Sequence, residues 1–162
     1  MFRATAVGFA IAAAGIAAVA GAASPAFEGK AVVYGKTYAP KYAWMVRGAS
    51  KLSPEKVETY VILSADDVSE KIRKCEDVTC AIWDAVTTGL VVQADATGFW
   101  VLVLDPERKP SQHSGAPTHW TETVHTPNRI AGRLLWKPDN GNPMFDFQVD
   151  AALLKEWKTP AK

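Results

Sequence analysis

Three histidines lie within thirteen residues of one another: His113, His119 and His125. Imidazole nitrogens are common zinc ligands, so this cluster first suggests a metal site. If residues 119–125 form a strand, however, His119 and His125 lie on the same face and roughly 20 Å apart, at about 3.3 Å per residue. Zinc ligands bind at about 2 Å. We therefore expect no metal site here and interpret the histidines as polar residues of a loop and a strand end.

Two short motifs suggest other chemistry, and each lacks a required part. Gly35-Lys36-Thr37 is similar to the end of a phosphate-binding loop, but the glycine required five places earlier is Lys30. Residues 53–56, Ser-Pro-Glu-Lys, have the serine-to-lysine spacing of penicillin-recognising enzymes, yet the chain has neither of the two companion motifs, Ser-Asp-Asn and Lys-Thr-Gly. No local Ser-His-Asp or Cys-His signature stands out either. We assign no catalytic residue and no cofactor.

The two cysteines, Cys75 and Cys80, stand five residues apart. On one continuous helix they would point about 140° away from each other, so a bond between them requires the helix to end near Cys75. The spacing is not that of a Cys-X-X-Cys redox motif. In an exported chain a cysteine pair is more often oxidised than free, and we expect a structural disulfide.

The remaining sequence is typical of a folded β protein. Apolar residues make up 48% and charged residues 22% of the 162 residues, which excludes a disordered chain. The balance of 18 basic and 17 acidic side chains lacks the excess of positive charge expected of a nucleic-acid binder. Candidate strands, separated by Gly, Pro, Asn and Asp, are residues 30–34, 42–47, 57–64, 90–94, 99–104, 120–125, 129–136 and 144–151.

These elements predict an all-β fold, mainly antiparallel, built as a sandwich or a strongly rolled sheet. In residues 145–151 apolar and polar positions alternate, so Phe145, Phe147 and Val149 are expected to face the core. Residues 100–104 have no polar position, which indicates a strand covered on both faces. One short helix is predicted from about residue 67 to 74, inserted between the 57–64 and 90–94 strands.

Residues 1–23 have the pattern of a signal peptide: Arg3, then small apolar residues, then a small-residue cleavage site near Ala22 or Ala23. The alternative is an uncleaved membrane anchor, but alanine and glycine partition weakly into lipid. We expect an exported protein, periplasmic or extracellular, without stable membrane insertion after cleavage. Residues 24–162 then form a single β-rich domain with 17 basic and 17 acidic side chains, because cleavage removes only Arg3.

The longest irregular stretch, residues 106–117, is predicted to be a long loop. Loops of this length are either functional or mobile. His119 and Trp120 follow it directly, and an exposed tryptophan is a common anchor in binding sites. We therefore name His119 and Trp120 as candidate binding residues.

Four strand-like motifs extend over most of the mature chain: Tyr42-Ala43-Trp44, Val61 to Ser64 followed by acids, Arg129 to Leu134, and Asp146 to Ala151. With the signal peptide and the C-terminal hairpin, they resemble a loose group of exported bacterial single-domain β proteins of unknown function. The resemblance implies no activity, since its motifs are alternating strands. The cysteine pair and the long histidine-containing loop depart from the pattern of this group.

The sequence therefore favours an exported, non-enzymatic binding or accessory protein of the bacterial envelope, with an unknown protein or small molecule as its ligand. One alternative is a small secreted hydrolase or metal-dependent enzyme that uses His119 or His125. That alternative requires a concavity in which one of these histidines meets an acid. The other alternative is a structural envelope protein.

Overall fold

The protein is described here by a computed structural model that covers residues 26–50, 53–95 and 97–158. The predicted signal peptide lies outside the described residues. Ten strands make up most of the described residues: β1 (Phe27–Val33), β2 (Lys36–Tyr38), β3 (Tyr42–Ser50), β4 (Ser53–Ser64), β5 (Gly89–Asp95), β6 (Gly98–Leu104), β7 (Ser111–Gly115), β8 (Trp120–Thr126), β9 (Arg129–Trp136) and β10 (Met144–Glu156). Two short helices, α1 (Ser69–Lys74) and α2 (Val78–Trp83), and a 3₁₀ turn (Pro117–His119) complete the fold.

The ten strands form a single mixed sheet that curls into a half-barrel. Its main path runs β2-β1-β10-β3-β4-β5-β6-β7, and β9 and β8 continue from the other edge of β10. All pairings are antiparallel except the one between β10 and β3. The predicted all-β class and the rolled-sheet form of it are confirmed.

The long strand β10 holds the sheet together because it has three partners. One edge pairs with β9 over residues 145–152, and the other pairs first with β1 and then with β3. Phe145, Phe147 and Val149 are at most 3% exposed, while Gln148 faces solvent. The alternation predicted for this strand is confirmed.

The sheet separates two apolar clusters, one on its concave side, the inner face, and one on its outer face. Strand β6 contributes to both, since Val101 packs in the inner cluster and Leu102 in the outer one. Helices α1 and α2 cover the outer cluster. The prediction that this strand is covered on both faces is therefore confirmed.

The helical region corrects one expectation. The predicted helix at residues 67–74 is present as α1, but a second helix, α2, follows where only a turn was expected. Asp77 caps α2 by accepting a hydrogen bond from the Cys80 amide at 2.8 Å. Val78 and Ile82 anchor its buried face. Only Thr79 is polar among the six residues of α2, so the segment is too short and too uniformly apolar to show a helical period.

Cys75 and Cys80 form the predicted disulfide, with their Cα atoms 5.5 Å apart. The bond joins the end of α1 to the first turns of α2. The end of β10 and the residue after it hold the same point. The Lys155 ammonium donates to the carbonyls of Arg73 and Cys75, each at 2.6 Å, and the Trp157 indole donates to the Cys75 carbonyl at 3.0 Å. These donors satisfy carbonyls that a helix end leaves without partners.

The predicted long loop at residues 106–117 is also corrected, because it contains strand β7. This strand pairs with β6, with His113 opposite Val101 and Ser111 opposite Val103. Ser111 and His113 therefore lie on the inner side of the sheet, like their partners. An edge strand of serine, glutamine, histidine and glycine lacks the apolar alternation by which strands are recognised.

Within the described part of the chain, no helix is long and apolar enough to cross a membrane.

Candidate functional site

The two predicted binding residues lie next to each other but face different surroundings. His119 ends the 3₁₀ turn, its Nδ1 lies 3.1 Å from the Leu135 carbonyl oxygen, and its ring meets Phe99 edge-on at 5.9 Å between centroids. Trp120 is half-buried and packs against the inner cluster, with its indole so close to Gly132 that no Cβ would fit there. Its Nε1 is buried with no acceptor among the described residues.

The three histidines are not brought together. Nε2 of His113 lies 3.1 Å from the hydroxyl of Ser111, whereas Nδ1 of His125 lies 2.8 Å from a carboxylate oxygen of Glu122. A bulge between Glu122 and Val124 sets the spacing of that second pair. Among the residues that the structure describes, no three His, Cys, Asp or Glu side chains are placed to share a metal ion.

A groove of about 780 Å³ crosses the outer face of β8, β9, β10 and β1, a part of the sheet that carries no helix. Strand register places Thr121, Arg133, Gln148 and Glu28 in one row across the four strands. In the next row Ala131 has only a methyl group, so the surface is hollow above it. The outer groove, as we call it, is lined chiefly by Thr121, Thr123, Ala131, Arg133, Gln148 and Asp150, with His119 at its margin.

The arginines and the lysine around the outer groove are paired with two aspartates, whereas the Glu28 carboxylate has no ion-pair partner among the described residues. Arg129 donates from Nε to Asp150 at 2.8 Å, and Arg133 donates from Nη2 to Asp146 at 2.8 Å. Lys137 lies 2.7 Å from the other oxygen of Asp146. The hydrogen bonds from these cations hold the pKa of both carboxyl groups below the usual value, so both stay ionised at neutral pH.

Other polar groups of the outer groove remain available. Thr121, Thr123 and Gln148 have no hydrogen-bond partner for their side chains among the described residues. Their hydroxyl and amide groups include both donors and acceptors. The arrangement is suited to a polar ligand that brings its own hydroxyl or amide groups.

A second site lies at one mouth of the half-barrel and is centred on Asp105, whose side chain is 2% exposed. Its Oδ2 accepts hydrogen bonds from the Lys36 ammonium at 2.8 Å and the Tyr38 hydroxyl at 2.9 Å, and Oδ1 accepts from the Glu107 amide at 3.1 Å. The Lys36 hydrogen bond lowers the pKa of Asp105 to about 2. Burial, with the Asp105 hydrogen bond, raises the pKa of Tyr38 to about 12.

The cavity at this barrel mouth encloses about 320 Å³. Its walls include Tyr34, Tyr38, Asp105, Arg108, Lys109 and Ser111. Behind Ser111 stands His113, which burial makes less basic by lowering its pKa. Mouths of β-barrels are frequent ligand sites.

Sequence reasoning missed both the outer-groove row and the barrel mouth. The pairing of Asp105 with Lys36 spans 69 residues along the chain, and no local pattern predicts it. The row from Thr121 to Glu28 depends on the register of four strands. The spacing of Ser111 and His113 could have predicted that they meet, because residues i and i+2 of a strand share a face. That inference requires residues 111–115 to be recognised as a strand.

Comparison with known proteins adds no functional information. Neither a family model, nor a curated protein, nor a solved structure matches the chain significantly. The functional argument therefore depends on the geometry of these two sites.

Proposed function

We propose that this protein is an exported binding or accessory protein of the bacterial envelope, and that its outer groove binds a ligand without catalysing a reaction. The observation that carries the proposal is the row Thr121, Arg133, Gln148 and Glu28 beside the hollow over Ala131. Four strands of one sheet hold these side chains, so the site is rigid and formed before a ligand arrives. Preformed sites lose less entropy on binding.

The ligand we propose is a small, hydroxyl-rich molecule such as a saccharide. Both signs of charge border the outer groove, and the carboxylates of Asp146 and Asp150 already have cationic partners. A ligand that binds through Arg133, Asp146 or Asp150 would have to displace these ion pairs. A neutral ligand can instead use Thr121, Thr123 and Gln148, while the margin at His119 and Leu135 offers apolar contact.

Export is supported by two independent features. Residues 1–23 have the order of a signal peptide. The Cys75–Cys80 disulfide is compatible with an oxidising compartment. Fusing residues 1–23 to alkaline phosphatase, which is active only after export, tests this part: activity is expected, and an inactive fusion retained in the cytoplasm contradicts it.

The alternative of a hydrolase or metal-dependent enzyme at His119 or His125 has less support. His125 meets the carboxylate of Glu122, but neither of them lines the outer groove or the barrel mouth. His119 lines the outer groove, yet its Nδ1 is directed at a backbone carbonyl. Neither histidine both contacts an acidic side chain and lines a concavity, so we favour a binding function over an enzymatic one at these residues.

An NMR titration with soluble N-acetylglucosamine oligomers tests where a saccharide binds. We expect the side-chain amide of Gln148 and the backbone amides of Thr121 and Thr123 to shift in a saturable way. The amides of β4 and β5, which lie two and three strands away from β10 in the sheet, serve as an internal control, and their chemical shifts should not change. Shifts confined to other strands, or none at millimolar oligomer, would contradict the proposed ligand class.

A pull-down from envelope extract tests the third alternative, a structural envelope protein. A binding protein that takes a small molecule should be recovered without stoichiometric partners. Recovery in a fixed ratio with other envelope proteins would favour the structural role.

A further inference from the structure

We propose that Ser111 and His113 form a nucleophile–base pair at the barrel mouth that hydrolyses small carboxylic esters. Both residues lie on the inner side of β7, two positions apart, so the pleat of the strand aligns their side chains. The Ser111 hydroxyl and Nε2 of His113 are 3.1 Å apart, within the range of a serine activated by a histidine. This activity is independent of the outer groove and of the ligand proposed for it.

The histidine is held in place by aromatic packing. The ring of His113 lies 6.3 Å from Tyr34, 6.4 Å from Trp136 and 5.9 Å from Phe145, centroid to centroid. These rings come from the β1–β2 turn, β9 and β10, so the imidazole is fixed between separate parts of the fold. Burial lowers the pKa of His113, which keeps the ring neutral at pH 7 and able to accept a proton.

Ser111 is open to a substrate. It lines the barrel-mouth cavity of about 320 Å³, which is large enough for a small ester. Arg108 and Lys109 line the same cavity, and Arg108 is fixed by a hydrogen bond of 3.2 Å to the Tyr34 carbonyl. The two cations can stabilise negative charge that develops on the ester oxygen.

The buried carboxylate nearby does not cancel this positive potential. Lys36 and Tyr38 donate to the same oxygen of Asp105, and the Glu107 amide occupies the other. The charge of Asp105 is thus compensated within its own hydrogen-bond network. Arg108 and Lys109 line the cavity and, among the described residues, form no ion pair with this carboxylate.

The reaction follows from these positions. The Ser111 oxygen attacks the ester carbonyl carbon as its proton passes to Nε2 of His113. The bond from that carbon to the alcohol oxygen then breaks, and the departing alcohol takes the proton from His113. Water, deprotonated by His113, attacks the acyl group on Ser111 and releases the acid, and the proton returns to the serine oxygen. The sum is ester plus water to acid plus alcohol.

Active-site labelling tests the proposal. The purified protein is treated with a fluorophosphonate probe, and the modified residue is located by peptide mass spectrometry. Hydrolysis of p-nitrophenyl acetate is measured in parallel. We expect one probe per chain, on Ser111, and a rate that falls at least tenfold in Ser111→Ala. Ser114→Ala is the matched control, because Ser114 lies on the same strand but faces outward and is exposed.

The outcomes separate the dyad from simpler chemistry. The proposal is wrong if the protein is folded and Ser111 stays unlabelled. It is also wrong if Ser111→Ala hydrolyses the ester at the rate of the parent protein, because His113 alone then accounts for the hydrolysis. His113→Gln should abolish both labelling and turnover, and its circular dichroism must match the parent. If that variant is unfolded, the labelling of the parent and of Ser111→Ala still decides the question.

Discussion

Replacing Trp120 decides whether this residue is a packing residue or an exposed binding anchor. Its indole packs against the inner cluster and covers Gly132. Truncating a buried tryptophan to alanine costs about 3–5 kcal/mol, and because Trp120 is only half-buried we expect Trp120→Ala to lose about 3 kcal/mol. For a chain of this size, that loss lowers the melting temperature by about 10 °C.

A second variant separates the ring from its polar group. The buried Nε1 of Trp120 has no acceptor among the described residues, and an unsatisfied buried donor costs about 1–3 kcal/mol. Trp120→Phe keeps an aromatic ring and removes this donor, so the loss of packing area is largely offset. We expect Trp120→Phe to remain within about 1 kcal/mol of the parent protein.

Urea unfolding of both variants, followed by circular dichroism, supplies the measurement. A double-mutant cycle combines Trp120→Ala with Gly132→Ala, whose new methyl group would collide with the Trp120 ring. Gly132→Ala should be less destabilising when Trp120 is already alanine, since the collision is then absent. If Trp120→Ala unfolds within about 1 kcal/mol of the parent, the packing argument is wrong and Trp120 is free to act as the anchor predicted from the sequence.

Three further predictions concern stability. The pKa of Asp105 is lowered from its ordinary 3.8 to about 2, so the ionised carboxylate stabilises the fold above pH 3.8. This stabilisation is lost as the pH falls from 3.8 through 2. The urea midpoint of Asp105→Asn should therefore vary less with pH in this range than that of the parent protein. Reducing the Cys75–Cys80 disulfide should lower the free energy of unfolding by about 2 kcal/mol, measured with and without reductant; equal values would show that the bond does not stabilise the protein. Lys155→Met, which removes the donor to two carbonyls at the end of α1, should cost about 1 kcal/mol in the same assay, and Lys158→Met is the exposed control expected to be neutral.

How far the sequence predicts the fold depends on how much of the information is local. In β10 the alternation of phenylalanine and valine with polar residues identifies both the strand and its buried face, and in β6 an unbroken apolar run identifies a strand with two covered faces. Strands β2 and β7 escape prediction because β2 has three residues and β7 is a polar edge strand. Edge strands are held by backbone pairing with a neighbour, which leaves little trace in side-chain pattern.

The candidate sites are predicted less well, because they depend on contacts between distant segments. The position of His119 after an irregular stretch predicts a binding residue, and the structure places His119 in the lining of the outer groove. The row that includes Arg133 and Gln148 arises only when β8, β9, β10 and β1 are in register. The network around Asp105 joins β2 to the loop after β6. No spacing rule within one segment contains that information.

The central claim, that the outer groove binds the ligand, is tested most directly by filling it. Ala131→Leu adds a side chain to the hollow, while Ala152→Leu makes the same change at an exposed position of β10 that does not line the outer groove. Isothermal titration with the N-acetylglucosamine oligomer should show affinity reduced at least tenfold in Ala131→Leu and unchanged in Ala152→Leu, with both variants folded. Equal affinity of Ala131→Leu and the parent protein would contradict the account.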